Sequence, residues 1–170
     1  MLSTLLTLLI AVGGTNPGKC SANWKPPEVH GIRLGMTVNQ VKFRLPFLKI
    51  PPADKYDVRE TFLYVTTNRR EQKRLPRVFA IEMWFWKNRL VRYNLKYYGS
   101  ETSAGIARFA NAVETQFNLS DGNRVSAHRY QCGDVIVSVA EELKRTVSLR
   151  DAEGEKVLNR RVDESYGLKP

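Results

Sequence analysis

The sequence contains few of the residues that catalytic and metal sites usually need. It has two histidines and two cysteines, and neither His30 nor His128 lies in a recognised catalytic motif. His128, Cys132 and Asp134 form an incomplete ligand set, because structural zinc sites generally use four ligands at characteristic spacings. A Cys132–His128 nucleophilic pair has no better support, since the two residues would lie about 13 Å apart on an extended strand.

The sequence also lacks a glycine-rich phosphate loop, and no spacing among its carboxylates singles out a catalytic pair. No catalytic residue, metal ligand or cofactor is therefore predicted, and the chain is interpreted as non-enzymatic. A hydrolase with an unrecognised site is the third-ranked interpretation, and it would require a polar cleft with two or three converging titratable groups.

No apolar run reaches the length of about 20 residues that spans a membrane. The run 2–12 instead has the length of the apolar part of a secretory signal peptide, and small residues and glycines follow it. The sequence predicts a signal peptide over 1–22, cleaved after Ala22, and a single domain over 23–170 without a transmembrane span. A cut near Gly14 is the alternative. The protein is expected to be periplasmic or secreted.

The position of the cut decides the state of the two cysteines. Cleavage after Ala22 would leave Cys132 alone, as a small buried hydrophobic residue. An earlier cut would leave Cys20 able to pair with Cys132 in an oxidising compartment. The sequence leaves both alternatives open.

Acidic residues are outnumbered in this chain. Its 17 Asp and Glu stand against 27 Lys and Arg, which gives a formal net charge of +10. Such a field attracts polyanions without selecting one class of them. The densest basic cluster, 69–74, is predicted to be a loop between strands.

The first helix is predicted from a capping box. Thr37 can accept a hydrogen bond from the backbone N–H of Gln40, whose side chain can reach back to the N–H of Thr37. The helix is expected over 38–45 and ends before Pro46, because the residue before a proline avoids the helical region. A strand over 56–66 should follow.

Residues 77–98 predict a hairpin with a three-residue turn at 87–89. This register places apolar pairs on one face: Phe85–Val91, Met83–Tyr93, Ile81–Leu95 and Phe79–Tyr97. A slip of one residue would move every side chain to the other face, so the apolar pairing favours this register. The opposite face then carries Trp84 opposite Arg92.

Three further elements complete the predicted fold. An apolar stripe predicts a helix over 103–117, a turn at 141–143 predicts a hairpin that pairs Val137 with Val147, and a last short helix is expected over 152–166. The predicted class is α+β, with an antiparallel sheet of about five strands and two to three short helices packed on one face.

The outer face of the first hairpin is the predicted binding surface. Trp84, Trp86, Arg92 and Tyr98 are expected to lie together there, and these residue types are enriched where proteins bind partners. A structural alternative is that Trp84 and Arg92 form a stabilising cross-strand pair, or that a helix covers this face.

The segment 31–41, GIRLGMTVNQV, resembles a motif of SmpA/OmlA-type small bacterial envelope proteins and of the related β-lactamase-inhibitor-protein-like domains. There the pattern G-(I/L)-x-x-G-(M/T)-(S/T)-x-x-(E/Q)-V begins the first helix. The resemblance implies short helices on an antiparallel sheet and a role in protein–protein interaction or envelope assembly without catalysis. The chain lacks the lipobox cysteine of the outer-membrane members, and no binding residue carries over.

Two binding hypotheses follow. The leading one is a non-enzymatic exported domain that binds a protein or an envelope component through its sheet. The alternative is a binder of anionic polymers, either acidic glycan or nucleic acid, through a basic aromatic sheet face. The second hypothesis predicts an affinity that falls steeply with salt.

Overall fold

A seven-stranded antiparallel sheet organises the fold. The computed structural model describes residues 24–65, 68–99, 102–119, 123–140 and 144–166. In chain order the elements are α1 (Val38–Arg44), β1 (Val58–Tyr64), α2 (Arg69–Arg74), β2 (Val78–Trp86), β3 (Arg89–Tyr97), α3 (Ser103–Gln116), β4 (Arg124–Ser126), β5 (Arg129–Cys132), β6 (Val135–Val139), β7 (Thr146–Asp151) and α4 (Ala152–Ser165). Neighbouring strands follow the order β1-β2-β3-β7-β6-β5-β4.

The predicted α+β class and the antiparallel sheet are confirmed, but the counts differ. The described residues form seven strands and four helices, where about five strands and two to three helices were expected. The strands that the sequence did not reveal, β4 and β5, contain three and four residues. Strands this short carry too little alternation to be recognised from a pattern of period two.

The capping box at the start of α1 is confirmed. The Oγ1 atom of Thr37 accepts from the backbone N–H of Gln40 at 3.3 Å, and the Oε1 atom of Gln40 accepts from the N–H of Thr37 at 2.9 Å. The helix ends at Arg44, close to the expected boundary. Val41 and Leu45 are fully buried, so one side of α1 is anchored in the core and the other faces solvent.

The first hairpin turns through two residues instead of the predicted three. Lys87 and Asn88 have φ angles of 47° and 62°, as the tightest hairpin turns require. Phe85 consequently pairs with Leu90 rather than with the predicted Val91. Val91 becomes the extra residue of a bulge, and it points to the opposite face of the sheet.

Beyond the bulge the predicted register is restored. The confirmed pairs are Trp84–Arg92, Met83–Tyr93, Glu82–Asn94, Ile81–Leu95 and Ala80–Lys96. A second irregularity at the start of β2 makes Val78, not Phe79, the partner of Tyr97. The apolar pattern therefore determined the centre of the hairpin, and the two irregularities altered its ends.

The second hairpin has a register two residues away from the predicted one. Val137 pairs with Leu149 and Val139 with Val147, whereas Val137 was expected opposite Val147. The inward face is unchanged, because a shift of two residues keeps every side chain on its side of the sheet. The predicted turn, 141–143, lies outside the described residues.

Helices cover both faces of the sheet, which corrects the prediction that they pack on one face. α1 and α3 contribute Val41, Ile106 and Ala110 to the main core, together with the inward residues of the strands. α4 lies on the other face, where Leu158 joins Val91 in a smaller apolar cluster. The bulge is what supplies Val91 to this second cluster.

The predicted signal peptide, 1–22, lies outside the described residues. None of the helices in the described part of the chain combines the length and the apolar character needed to cross a bilayer. Cys132 is buried and takes part in a disulfide, so it is not a free thiol. Cys20 lies outside the described residues.

Candidate functional site

α4 packs on the sheet face that carries the predicted binding residues. Trp84 and Trp86 are half-buried and belong to the apolar cluster around Leu158 of α4. The guanidinium of Arg92 lies 4.5 Å from the ring centroid of Trp84, as the cross-strand alternative predicts. These three side chains are therefore engaged within the fold.

Arg92 also forms an ion pair with α4. Its Nη1 atom lies 3.3 Å from Glu155 Oε1, and Nη1 of Arg150 lies 4.0 Å from Glu155 Oε2. Tyr98 stands apart from this group, beyond the end of β3, with its ring centroid 5.3 Å from that of Phe79. The structure thus brings together Trp84, Trp86 and Arg92 under a helix and does not bring Tyr98 to them.

Other cations on this face are paired as well. Lys96 Nζ lies 2.5 Å from Glu82 Oε1, and Arg161 contacts the carboxylates of Asp54 and Glu60 at 2.7 and 3.1 Å. Burial raises the pKa of Glu82, but hydrogen bonds from Lys96 and Asn94 outweigh it and leave that pKa below the usual value. Glu82 therefore stays ionised and neutralises Lys96.

Among the described residues, the cations without an ion pair include Arg70 and Lys73 on α2, the segment predicted to be a loop. Asn68 caps the helix by accepting from the N–H of Arg70 at 2.9 Å, and Glu71 in the first turn and basic residues in the last turn complement the helix dipole. The helix buries none of its own side chains. It is held by the fully buried Leu75, which follows its last residue.

α2 forms one wall of an open cleft of about 730 Å³. The cleft is lined by Pro46, Phe47, Asn68, Arg70, Glu71, Lys73 and Arg74, and we call it the basic cleft. Its two walls are joined where Nη1 of Arg74 donates to the carbonyl oxygen of Arg44 at 2.5 Å. On the adjoining helix α1, Phe43 is 80% exposed.

The basic cleft carries a local excess of positive charge. Three of its lining side chains are cationic and one, Glu71, is acidic. Within the described residues, Arg70 and Lys73 form no ion pair, and both are exposed. An anion in the cleft would therefore meet guanidinium and ammonium groups whose charge no carboxylate has already neutralised.

His128 and Cys132, which the sequence offered as metal ligands or as a nucleophilic pair, both have other partners. His128 Nδ1 lies 2.7 Å from Glu114 Oε1, and Cys132 is in a disulfide. The described residues contain no group of three or more His, Cys, Asp or Glu that could hold a metal ion. Burial raises the pKa of Glu114, but hydrogen bonds from His128 and Tyr130 outweigh it and lower that pKa overall. The pair thus links α3 to the residue that precedes β5.

Sequence reasoning missed the basic cleft because it treated 69–74 as a loop. A usable signal was present: Asn68 stands at an N-cap position, and neither Gly nor Pro interrupts the six residues that follow. The position of Phe47 in the wall of the basic cleft could not be predicted from the sequence, since it depends on the path of the chain after α1.

Comparisons of the chain with protein-family models, curated proteins and solved structures give no match. The resemblance to SmpA/OmlA-type proteins stays a prediction carried by 31–41. Gly31 and Gly35 have φ angles of 77° and 81°, a region in which glycine is favoured. These glycines shape the approach to α1 and leave the function of the chain open.

Proposed function

We propose that this protein binds linear polyanions through the basic cleft. The observation that carries the proposal is the placement of Arg70, Lys73 and Arg74 along one concave wall, with no ion pair to Arg70 or Lys73 in the described part of the chain. The proposal takes up the alternative hypothesis from the sequence and moves its site from the sheet to the helices.

The chemistry of the lining favours repeated anionic groups. Arginine guanidinium groups bind carboxylate, sulfate or phosphate through two parallel hydrogen bonds, and lysine adds a compact charge. Phe47 supplies an apolar wall against which the uncharged part of a repeating unit can pack. The expected export of the chain favours an acidic glycan over a nucleic acid as the polymer.

The shape of the site favours a linear polymer over a flat anionic surface as the ligand. The cations line a groove between α2 and the segment after α1 rather than a single protruding face. A linear polymer can lie along such a groove and contact both walls. A planar anionic membrane would contact only the rim.

A protein-binding role is supported by a different patch, on the edge strand β1. Phe62 and Tyr64 are 47% and 67% exposed, and their rings meet edge to face with centroids 4.6 Å apart. Exposed aromatic residues on an unpaired strand edge suit an extended peptide. We rank this second, because two rings form a small surface for a stable partner.

A charge-reversal pair tests where the polyanion binds. The variant R70E/K73E is compared with K156E/R160E on α4, which changes charge by the same amount at exposed positions away from the cleft. The probes are polygalacturonate, dextran sulfate, single-stranded DNA and vesicles rich in phosphatidylglycerol, with affinity measured by fluorescence anisotropy or co-sedimentation.

We expect the cleft variant to lose at least tenfold in affinity for the acidic glycans, while the α4 variant loses much less. Losing two contacts of about 1 kcal/mol each corresponds to more than a tenfold change. Equal losses in the two variants would show that only the overall charge matters and would overturn the assignment to the cleft. Binding to vesicles alone would overturn the choice of a linear polymer.

A further inference from the structure

A second cavity, of about 270 Å³, lies between α3, the end of β3 and the start of β7. Most of its lining is apolar or aromatic, and the lining residues that carry the argument are His30, Tyr97, Phe109, Ala112 and Phe117. None of them lines the basic cleft. We call this space the aromatic cavity.

The walls of the aromatic cavity are rings held at fixed angles. The centroids of Tyr97 and Phe109 are 5.4 Å apart with planes tilted by 49°, and the ring of His30 lies 5.9 Å from that of Tyr97. Tilted rings at this spacing offer a planar guest both edges and faces for aromatic contact. A dry cavity of roughly 150 Å³ holds benzene, so this one has room for two fused rings.

The cavity also contains one neutral polar pair. The Nε2 atom of His30 and the Oη atom of Tyr97 lie 3.0 Å apart in a hydrogen bond. Burial lowers the pKa of His30 and raises that of Tyr97, so both side chains are uncharged near pH 7.

The pair keeps hydrogen-bonding capacity for a ligand. If the hydroxyl of Tyr97 donates the shared bond, the Nδ1–H of His30 is left as a donor. If His30 donates, the O–H of Tyr97 is left. Neither side chain has a second hydrogen-bond partner in the described part of the chain. A ligand hydroxyl suits both arrangements, because it can donate and accept.

The two charged residues of the lining, Arg77 and Arg145, favour an uncharged ligand. Arg145 is engaged within the fold: its Nη2 donates to the carbonyl oxygen of Gly105 at 3.3 Å, and its guanidinium lies 6.0 Å from the ring centroid of Phe109. Arg77 is exposed, and a cation in water adds little to an ion pair. An anionic group would therefore lose its hydration in the cavity without gaining a dedicated partner.

We propose that the aromatic cavity binds an uncharged, planar aromatic compound of two fused rings that carries a hydroxyl group. The rings lie between Tyr97, Phe109 and Phe117, and the hydroxyl bonds to the pair formed by His30 and Tyr97. A carboxylate of the same shape binds more weakly because it must be dehydrated. The same rings without a hydroxyl bind more weakly because they exclude water from a donor that then has no partner. This site is separate from the polyanion proposal and does not depend on it.

The test compares 2-naphthol, 2-naphthoate and naphthalene with the purified full chain at pH 7, where a phenol is uncharged. Binding is measured by titration in ¹H–¹⁵N correlation spectra, which also locate it. We expect 2-naphthol to shift the amides of Tyr97, Phe109 and Val113 and to bind about fivefold more tightly than either other probe, as one added hydrogen bond implies. An affinity for 2-naphthoate or naphthalene that equals or exceeds that for 2-naphthol overturns the proposal, as does an absence of shifts.

A matched pair of variants on α3 locates the site independently. Ala112 lines the cavity and Ala107 does not, and both are exposed, so Ala112→Trp fills the cavity while Ala107→Trp adds the same ring outside it. We expect A112W to abolish binding of 2-naphthol and A107W to retain it, with both spectra remaining folded. If A112W binds as well as A107W, the cavity is not the site.

The uncharged character of the ligand is tested separately at Arg77, whose exposed side chain can be changed without disturbing the packing of Arg145. We expect Arg77→Gln to leave the affinity for 2-naphthol within twofold of the wild-type value. A tenfold loss in a folded R77Q protein would show that the ligand depends on this cation and would contradict the assignment of an uncharged compound.

Discussion

Gly154 of α4 lies directly against Val91 of β3. A Cβ placed on Gly154 would come within 2.8 and 2.9 Å of the two methyl groups of Val91. This contact joins two features of the chain that look unfavourable in isolation, a bulge in a strand and a glycine inside a helix. The bulge turns Val91 toward α4, and the glycine lets the helix approach it, which brings α4 over Trp84 and Trp86.

Gly154→Ala is therefore expected to destabilise the protein by about 1–3 kcal/mol, the usual cost of overpacking. The direction is informative, because the same change in an unconstrained helix interior stabilises by about 1 kcal/mol. Urea unfolding followed by tryptophan fluorescence measures the change in the free energy of unfolding. Glu153→Ala, on the exposed side of α4, is the control. A more stable G154A would show that α4 does not pack closely on β3.

Trp84→Ala separates stability from binding. The ring is half-buried in the cluster under α4, so we expect a loss of about 2 kcal/mol in the free energy of unfolding. Affinity for acidic glycan should change less than twofold, since the ring does not line the basic cleft. A tenfold loss of affinity in a folded W84A protein would instead restore the sheet face as the binding surface.

The pair formed by Glu82 and Lys96 predicts a dependence of stability on pH. Because the folded-state pKa of Glu82 lies below its ordinary value of 4.5, the ionised carboxylate stabilises the fold above that pH. This contribution is lost as the pH falls through the lower folded-state pKa. Unfolding free energies of wild type and Glu82→Gln should thus differ at pH 7 and converge at low pH, with Glu153→Gln as an exposed control. A constant difference over the whole range would contradict the prediction.

The disulfide at Cys132 bears on the cleavage site of the expected signal peptide. The chain has one other cysteine, Cys20. If the bond is within the chain, the mature protein must retain Cys20, which favours the earlier cut, near Gly14, over the cut after Ala22. Intact mass spectrometry of exported protein, with and without reduction, should show a mature chain that contains Cys20 and gains two hydrogens on reduction. A mature chain that begins at Asn23 would contradict this prediction.

The features that could be predicted from the sequence are those determined by neighbouring residues. The Thr37–Gln40 capping box and the apolar stripe of α3 depend on contacts within one or two turns, and both are observed. The centre of the first hairpin was also predictable, because shifting it by one residue would have exposed an entire apolar face.

The features that were missed depend on contacts distant in the chain. The Val91 bulge is the extra residue that allows a two-residue turn at Lys87–Asn88 and still keeps the apolar pairs at the centre of the hairpin on one face. The position of α4 depends on the fit of Gly154 to that bulge, so the covering of Trp84 could not be read from the hairpin alone. The basic cleft likewise needs α2 and the segment around Phe47 to come together.

In the proposed function, Arg70 and Lys73 contact the charges of a bound polymer. The most direct test is the salt dependence of polygalacturonate binding by wild type, R70Q/K73Q and the matched K156Q/R160Q variant. Each lost contact should make the slope of log affinity against log salt shallower by roughly 1. We predict a slope shallower by about 2 for R70Q/K73Q and an unchanged slope for K156Q/R160Q. The same slope in all three proteins would show that neither residue contacts the polymer and would contradict binding through the basic cleft.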